Sequence, residues 1–341
     1  VGKVSGIYAK KQDVTPVGIT AVLPYRYPAA DVEVSVMREG KLQRIGLLRI
    51  TDGQSPKELR LYGVSHVSCK IDGFMLDRNN ACQKSLEVAL PENLHSVINV
   101  PRSYGLCGIS GKDGHRTVVC VDFFTREVKT RAIDVMALFL TPSNAAVAVV
   151  CHDGICALQT LPIEIGADYM TKSDALGPVQ PTFAMPDGLK PEYFGNYPGV
   201  SIGTKESTSY LLSANKGDGN WTAVMLDKEG FHMTEDIAAE SLIPFRAGSD
   251  AGYIATCGGL SLFRLVNPEN GTIGQTIYTC KIGQIISATS NSEKPGHILL
   301  NVSETSNGLQ IFDLAWNDTK SLSHITLPNS ANDYAEVLMA N

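Results

Sequence analysis

Short apolar runs, each closed by a turn residue, recur along the whole chain. The clearest is Leu309-Gln310-Ile311-Phe312-Asp313-Leu314, followed by a turn at Asn317-Asp318 and a second run to Leu327. Shorter copies stand at Phe74-Met75-Leu76-Asp77, Val119-Cys120-Val121-Asp122 and Ala223-Val224-Met225-Leu226-Asp227. Asp77, Asp122, Asp227 and Asp313 are therefore expected as structural turn residues. Runs this short, rich in Val, Ile, Leu, Thr and Tyr, predict β-strands. Asp-Gly at Asp52, Asp72, Asp113, Asp153, Asp187 and Asp218, and Asn-Gly at Asn270 and Asn307, supply the positive φ of tight hairpin turns. Helical periodicity is confined to Glu235–Leu242.

With each hairpin taken as the middle of a four-stranded sheet, about seven units emerge over residues 1–341. The first holds Ile19–Leu23, Val32–Met37 and Gln43–Ile50. The second runs from Glu58 through Val67–Ile71 and Phe74–Asp77 to Leu86–Leu90. The third pairs Tyr104–Ser110 with Thr117–Phe123 and adds Glu127–Ile133. The fourth holds Val135–Leu140, Ala145–Cys151 and Ile155–Leu161. The fifth holds Ser209–Ala214, Trp221–Asp227 and Phe231–Thr234. The sixth runs from Leu242 through Gly252–Cys257 and Leu260–Leu265 to Thr272–Cys280. The seventh runs from Gly283 through His297–Val302 and Leu309–Leu314 to Ser321–Leu327. Asp77 and Asp122 lie 45 residues apart, and Leu265 and Asp313 lie 48 apart. That period, with four strands per unit, predicts a single all-β domain: a β-propeller of about seven blades. The chain termini must close the ring, with either Lys3–Tyr8 or Ala335–Met339 supplying a strand to a blade made by the other end.

Ile311-Phe312-Asp313-Leu314 and Cys120-Val121-Asp122-Phe123, together with Gly296-His297, make the chain resemble the WD40-like propeller superfamily. The resemblance spans most of the chain and implies a rigid platform for protein–protein interaction. Leu262-Phe263-Arg264-Leu265 with the Asn270-Gly271 turn looks like a blade of the propeller lactonases, which implies a hydrolase acting at the central channel as the alternative.

One segment breaks the period. Residues 165–199 hold Pro178, Pro181, Pro186, Pro191 and Pro198 with Phe183, Tyr193, Phe194 and Tyr197. This is too Pro-rich for a strand pair and reads as a long inter-blade insertion, the kind of loop that carries binding on rigid scaffolds. Tyr193, Phe194 and Tyr197 become candidate partner contacts. Tyr25-Arg26-Tyr27, stiffened by Pro24 and Pro28, has the composition of an interface anchor.

The chain has 341 residues and a net charge of −6, which argues against nucleic acid as the main ligand. Residues 1–70 carry eleven Lys and Arg against six Asp and Glu, so this end is basic and the remainder has a net charge of −11. The basic region is a second candidate docking surface for other proteins. The longest apolar stretch, Ala132–Cys151, is interrupted by Asp134, Pro142, Ser143 and Asn144, so no membrane span is expected.

Chemistry is sparse. Cys107 and Cys120 are symmetric about Asp113-Gly114, and Cys151 and Cys156 about Asp153-Gly154, which sets each pair face to face across a hairpin. Two readings follow: small buried thiols in an intracellular protein, which is the expectation, or disulfides in a secreted one. Cys151-His152-Asp153-Gly154-Ile155-Cys156 contains metal-ligand types, but on a tight hairpin His152 points away from both cysteines, so no metal is expected. Gly199-Val200-Ser201-Ile202-Gly203 matches a nucleophile elbow in letters, yet no helical pattern follows it. Sequons stand at Asn220, Asn270, Asn301 and Asn317. Neither a catalytic constellation nor a cofactor is expected. The sequence points to a non-enzymatic interaction platform, a scaffold subunit of a larger assembly, with a propeller hydrolase and a secreted or surface binding domain as alternatives.

Overall fold

The computed structural model describes residues 12–15, 18–21, 30–38, 41–50, 60–76, 82–99, 105–111, 115–122, 127–141, 146–161, 182–203, 208–267, 269–281, 283–290, 294, 296–304, 308–316, 322–325 and 334–340. The chain divides into two compact units, Val1–Glu58 and Leu59–Asn341.

In the first unit, β1 (Gln12–Thr15) pairs with β2 (Gly18–Ala21) and β3 (Ala30–Arg38) with β4 (Lys41–Ile50), each as a separate antiparallel two-stranded sheet. Val32–Met37 and Gln43–Ile50 thus form the expected hairpin, but not a blade. This corrects the blade count.

The second unit is a propeller of six four-stranded antiparallel blades. Blade I contains β5 (Arg60–Ser65), β6 (Lys70–Leu76) and β7 (Cys82–Ala89). Blade II is β8 (Leu94–Asn99), β9 (Gly105–Ser110), β10 (Thr117–Asp122) and β11 (Glu127–Ile133). Blade III is β12 (Val135–Leu140), β13 (Ala146–His152), β14 (Ile155–Thr160) and β15 (Thr182–Ala184). Blade IV is β16 (Val200–Gly203), β17 (Thr208–Gly217), β18 (Asn220–Asp227) and β19 (Gly230–Ala238). Blade V is β20 (Ser241–Ala247), β21 (Asp250–Cys257), β22 (Leu260–Val266) and β23 (Ile273–Cys280). Blade VI is β24 (Gln284–Ser290), β25 (His297–Glu304), β26 (Gly308–Ala315) and β27 (Leu322–Ile325). The last strand, β28 (Tyr334–Ala340), pairs with β5 and becomes the inner strand of blade I. Of the two termini proposed to close the ring, it is Ala335–Met339 that does so. The inner strands β8, β12, β16, β20, β24 and β28 touch in sequence and return to β8.

The period-two pattern explains the packing. In β13, Val147, Val149 and Cys151 join a cluster with blade IV, whereas Ala146 and Ala148 join one with blade II. Both faces of each blade are therefore apolar, as a strand buried on two sides requires. The six clusters of buried residues each lie at a different blade junction. A fully buried Val or Leu such as Val149 or Leu211 contributes about 1.5–3 kcal/mol.

β28 is fastened by polar contacts as well. The Tyr334 ring lies over Gly63, where a Cβ would come within 2.8 Å of it. Its hydroxyl donates to the buried carboxylate of Asp72, which also pairs with Lys84 at 2.7 Å and Lys70 at 3.1 Å. Burial would raise the Asp72 pKa, but the bonds from Lys84, Tyr334 and Lys70 hold it below the usual carboxylate range. Asp72-Gly73 is accordingly not a turn. It sits inside β6, and the hairpin turns at 66–69 instead. Glu235–Leu242 is likewise no helix: residues 235–238 extend β19, and β20 begins at Ser241.

The two cysteine pairs occupy the expected register, Cys107 opposite Cys120 and Cys151 opposite Cys156. Both are joined as disulfides, with Cα–Cα distances of 4.2 and 4.0 Å, which corrects the expectation of free thiols. Such short separations belong to non-hydrogen-bonded antiparallel pairs, where facing side chains are closest. Among the described residues, no helix is long and apolar enough to cross a membrane.

Candidate functional site

The connection from β15 to β16 runs over the face of the propeller at which the inner strands begin. It occupies the described part of the predicted 165–199 insertion; residues 162–181 lie outside the described residues. Its anchors come from two blades. Met185 N–H donates to the Gly154 carbonyl on the β13–β14 turn at 2.9 Å. Leu189 and Phe194 are buried in the cluster between blades III and IV. At the far end, Gly199 N–H donates to the Leu138 carbonyl at 2.9 Å.

Between these anchors, Pro191–Tyr193 forms one 3-10 turn, with Phe194 N–H donating to the Pro191 carbonyl at 3.2 Å. Proline at the start of such a turn fixes φ and has no amide hydrogen to leave unpaired. Arg116, on the β9–β10 connection of blade II, grips the turn from the side. Its Nη1 donates to the carbonyls of Pro191 at 3.2 Å and Phe194 at 2.5 Å, and its Nη2 to that of Glu192 at 3.0 Å. A planar guanidinium can bridge several carbonyls at once, whereas an ammonium acts as a point charge. Gly195 makes room for it: φ is +87°, and a Cβ would lie 3.0 Å from the guanidinium. The disulfides staple the hairpins that carry these anchors, Cys107–Cys120 across β9–β10 and Cys151–Cys156 across β13–β14.

The strap presents Asp187, Lys190, Glu192 and Asn196 to solvent. Tyr193 is half-buried, with the Lys190 Nζ 6.0 Å from its ring centroid. The predicted partner contacts separate here. Tyr193 remains accessible at its edge. Phe194 is 1% exposed and is a core residue, unavailable to a partner in this conformation. Tyr197 is half-buried against Trp221, ring centroids 5.8 Å apart. Tyr25, Arg26 and Tyr27 lie outside the described residues, as do the side chains of most of the basic 1–70 segment.

Tyr197 leads to the starts of the inner strands β20 and β28. Its hydroxyl is hydrogen-bonded to Ser241 at the start of β20, and burial pushes its pKa up to about 12. Ser241 in turn lies 2.6 Å from the Thr256 hydroxyl. The carboxylate charge of Glu336, on β28, adds to that rise at Tyr197. Glu336 Oε2 accepts from Val97 N–H at 2.8 Å, and the amide of Ser96 also donates to the carboxyl. Burial pushes its pKa up to about 7 against the pull of those two amides. Sequence reasoning passed over both Arg116 and Glu336. Glu336 had a signal, an acid inside an apolar closing strand. Arg116 had none, because its partners are backbone carbonyls.

The remaining candidates are structural. Asp227 Oδ1 accepts from Glu229 and Gly230 N–H at 2.7 and 3.2 Å, capping the turn that it closes. Asp313 holds Lys294 at 2.8 Å and His297 at 2.9 Å rather than its own turn. Asp77 and the side chain of Asp122 lie outside the described residues. Ser201 sits within β16, 4% exposed, its hydroxyl accepting from Arg246 Nη1 at 3.1 Å, so it is not on an elbow. Among the described residues, no group of three or more His, Cys, Asp or Glu could hold a metal ion.

A solved DUF4784 family protein from Bacteroides caccae superposes with a TM-score of 0.71 at 25% identity, covering 98% of this chain and 90% of that one. A protein from Bacteroides uniformis provisionally assigned as a 6-phosphogluconolactonase gives 0.49 at 13% identity, over 83% of this chain and 99% of that one. TolB from Acinetobacter baumannii gives 0.49 at 9%, over 89% and 79%. No curated protein matches the sequence. The DUF4784 WD40-like domain model matches residues 64–292, and the chain therefore belongs to that family.

Proposed function

We propose that the propeller is a non-enzymatic protein-interaction platform whose recognition element is the strap at 185–199. The observation that carries this reading is the clamp of Arg116. Three carbonyls held by one guanidinium, between two buried anchors, keep an exposed polar turn in a single conformation. A pre-ordered loop loses less conformational entropy on binding, so its contacts translate more fully into affinity. The two disulfides support an oxidising compartment, and hence a secreted or surface binding domain rather than an intracellular scaffold.

Affinity capture from the native source tests this reading with wild type and a Lys190→Ala/Glu192→Ala/Tyr193→Ala variant. At least one stoichiometric protein partner is expected to be captured roughly tenfold less by the variant, the size of effect given by one interface contact of about 1.4 kcal/mol. An unchanged partner set from a folded variant rejects the strap as the interface. The competing reading, a hydrolase at the channel, would need Glu336 as its acid or base, since the group holds its proton near neutral pH. That carboxyl is already engaged by two backbone amides. Lactone or ester hydrolysis that disappears in Glu336→Gln would favour the enzyme instead.

A further inference from the structure

We propose that Ser96 and Val97 form a carboxylate-binding site between the inner strands β8 and β28, and that the side chain of Glu336 is its built-in ligand, latching the ring-closing strand onto blade II.

The site originates in a backbone irregularity. The β8–β9 register shifts between His95 and Ile98, so Ser96 and Val97 drop out of the ladder. Ser96 takes a φ of +53°, in the left-handed region that non-glycine residues seldom enter. Successive amides around such a residue turn toward one point and make a concave anion site. Both amides meet there on the Glu336 carboxyl, Val97 at 2.8 Å. The place is dry: Ser96 and Val97 are 0% exposed and Glu336 7%. Two peptide N–H groups buried without an acceptor would each cost about 1–3 kcal/mol, so an oxygen ligand at this place is close to obligatory. The Ser96 hydroxyl, equally buried, has no hydrogen-bond partner among the described residues and is available as a further donor.

The location gives the ligand its role. Other inner strands carry bulges at the same level, where β12 shifts at Val135/Ala137 and β24 at Ile285/Ser287. The residues after those bulges are Ala137 and Ser287; only β28, shifted at Tyr334/Glu336, puts an acid there. β28 is also the inner strand whose blade-mates come from the opposite end of the chain. Tyr334 fixes it to β6 within blade I, and Asn301 Nδ2 donates to the Tyr334 carbonyl from blade VI at 3.1 Å. Glu336 supplies the third fastening, to blade II. This inference does not depend on the strap being an interface.

Hydrogen exchange of the whole chain, followed in peptides covering 94–99 and 334–340, is the test. Wild type is compared with Glu336→Gln, whose amide oxygen still accepts, and Glu336→Ala, which empties the site. In Glu336→Ala the Val97 amide is expected to exchange at least about tenfold faster, consistent with the loss of one charge-assisted hydrogen bond. Sodium formate or acetate at a few tenths molar is expected to restore protection, with sodium chloride at equal ionic strength failing to do so. Glu336→Gln is expected to stay within about threefold of wild type, since it keeps the oxygen. Unchanged protection in Glu336→Ala overturns the proposal, as does a loss that neither carboxylate restores. If Glu336→Ala folds only with formate, the site is supported. If it folds with neither salt, Glu336→Gln decides: a protected Val97 amide supports the latch, and exchange at the rate of free backbone overturns it.

Discussion

Gly63→Ala is the smallest change that separates the closing contact from ordinary strand propensity. On a strand, alanine in place of glycine is normally stabilising by roughly 0.5–1 kcal/mol, because the unfolded chain loses freedom. Here the sign should reverse. The new Cβ would lie 2.8 Å from both Cγ and Cδ1 of Tyr334 and 3.0 Å from Cδ2, all of them ring atoms that cannot swing aside individually. The ring is also held at its far end, where the hydroxyl donates to Asp72, and at its edge by Phe74, centroids 5.7 Å apart. Moving it surrenders a hydrogen bond to a charged group, about 1.5–3 kcal/mol, and adds overpacking of about 1–3 kcal/mol. A net destabilisation of about 2–5 kcal/mol follows. Urea denaturation of the full chain, followed by tryptophan fluorescence, reads it. The double variant Gly63→Ala/Tyr334→Ala should be more stable than the sum of the single changes predicts, because the clash has gone. A Gly63→Ala protein as stable as wild type or more so would refute the account of ring closure.

Stability should also depend on pH through Glu336. Its folded pKa lies at about 7 against a reference of 4.5, so the native state holds the proton more tightly. The contribution is complete below about pH 4.5 and is lost as pH rises to about 7, on the order of 3 kcal/mol. Tyr197 is the described titratable side chain that senses this charge; it keeps its proton throughout that window. Glu336→Gln should remove that slope in pH-resolved thermal melts. Arg116→Lys retains the charge but cannot bridge three carbonyls, so the Tyr193 and Phe194 amides should exchange about tenfold faster with the blade amides unchanged. Intact mass before and after reduction should differ by the four hydrogens of two bonds, mapped to Cys107–Cys120 and Cys151–Cys156. Alkylation of all eight cysteines without reduction would exclude both bridges.

Most blade strands were legible because a strand buried on both sides has a plain signature. Val135–Leu140 and Ile155–Leu161 match β12 and β14 to within a residue. Local signals failed where a tertiary partner overrode them. Asp72-Gly73 has the composition of a turn, but the Asp72 side chain is taken by Lys84, Lys70 and Tyr334, the last of them 262 residues away. The hairpin at Val32–Met37 and Gln43–Ile50 reads like the middle of a blade, and nothing in its own residues reveals that it pairs with no further strand among the described residues. Hairpin symmetry gave the facing of the cysteines but not their oxidation state, which a reduced pair of small apolar side chains would satisfy equally well. At the strap, aromatic content did not distinguish Phe194, which is core, from Tyr193, which is half-exposed. Burial is decided by packing against blades III and IV, where Phe194 joins Met136, Phe139 and Leu212.

The pairing of β28 with β5 also sets a timetable for synthesis. Asp72 is translated 262 residues before its partner Tyr334. At roughly 5–20 residues per second, that interval is about 13–50 s. For all of it, β5 has no inner neighbour, and one row of its backbone N–H and C=O groups is open to any other strand. The first blade begun is thus the last of the six to gain its inner strand, and its open edge is a site for unwanted strand pairing until then. Slowing translation late in the message should therefore lower soluble yield more than slowing it early. A factor that shields the β5 edge until β28 emerges should raise it.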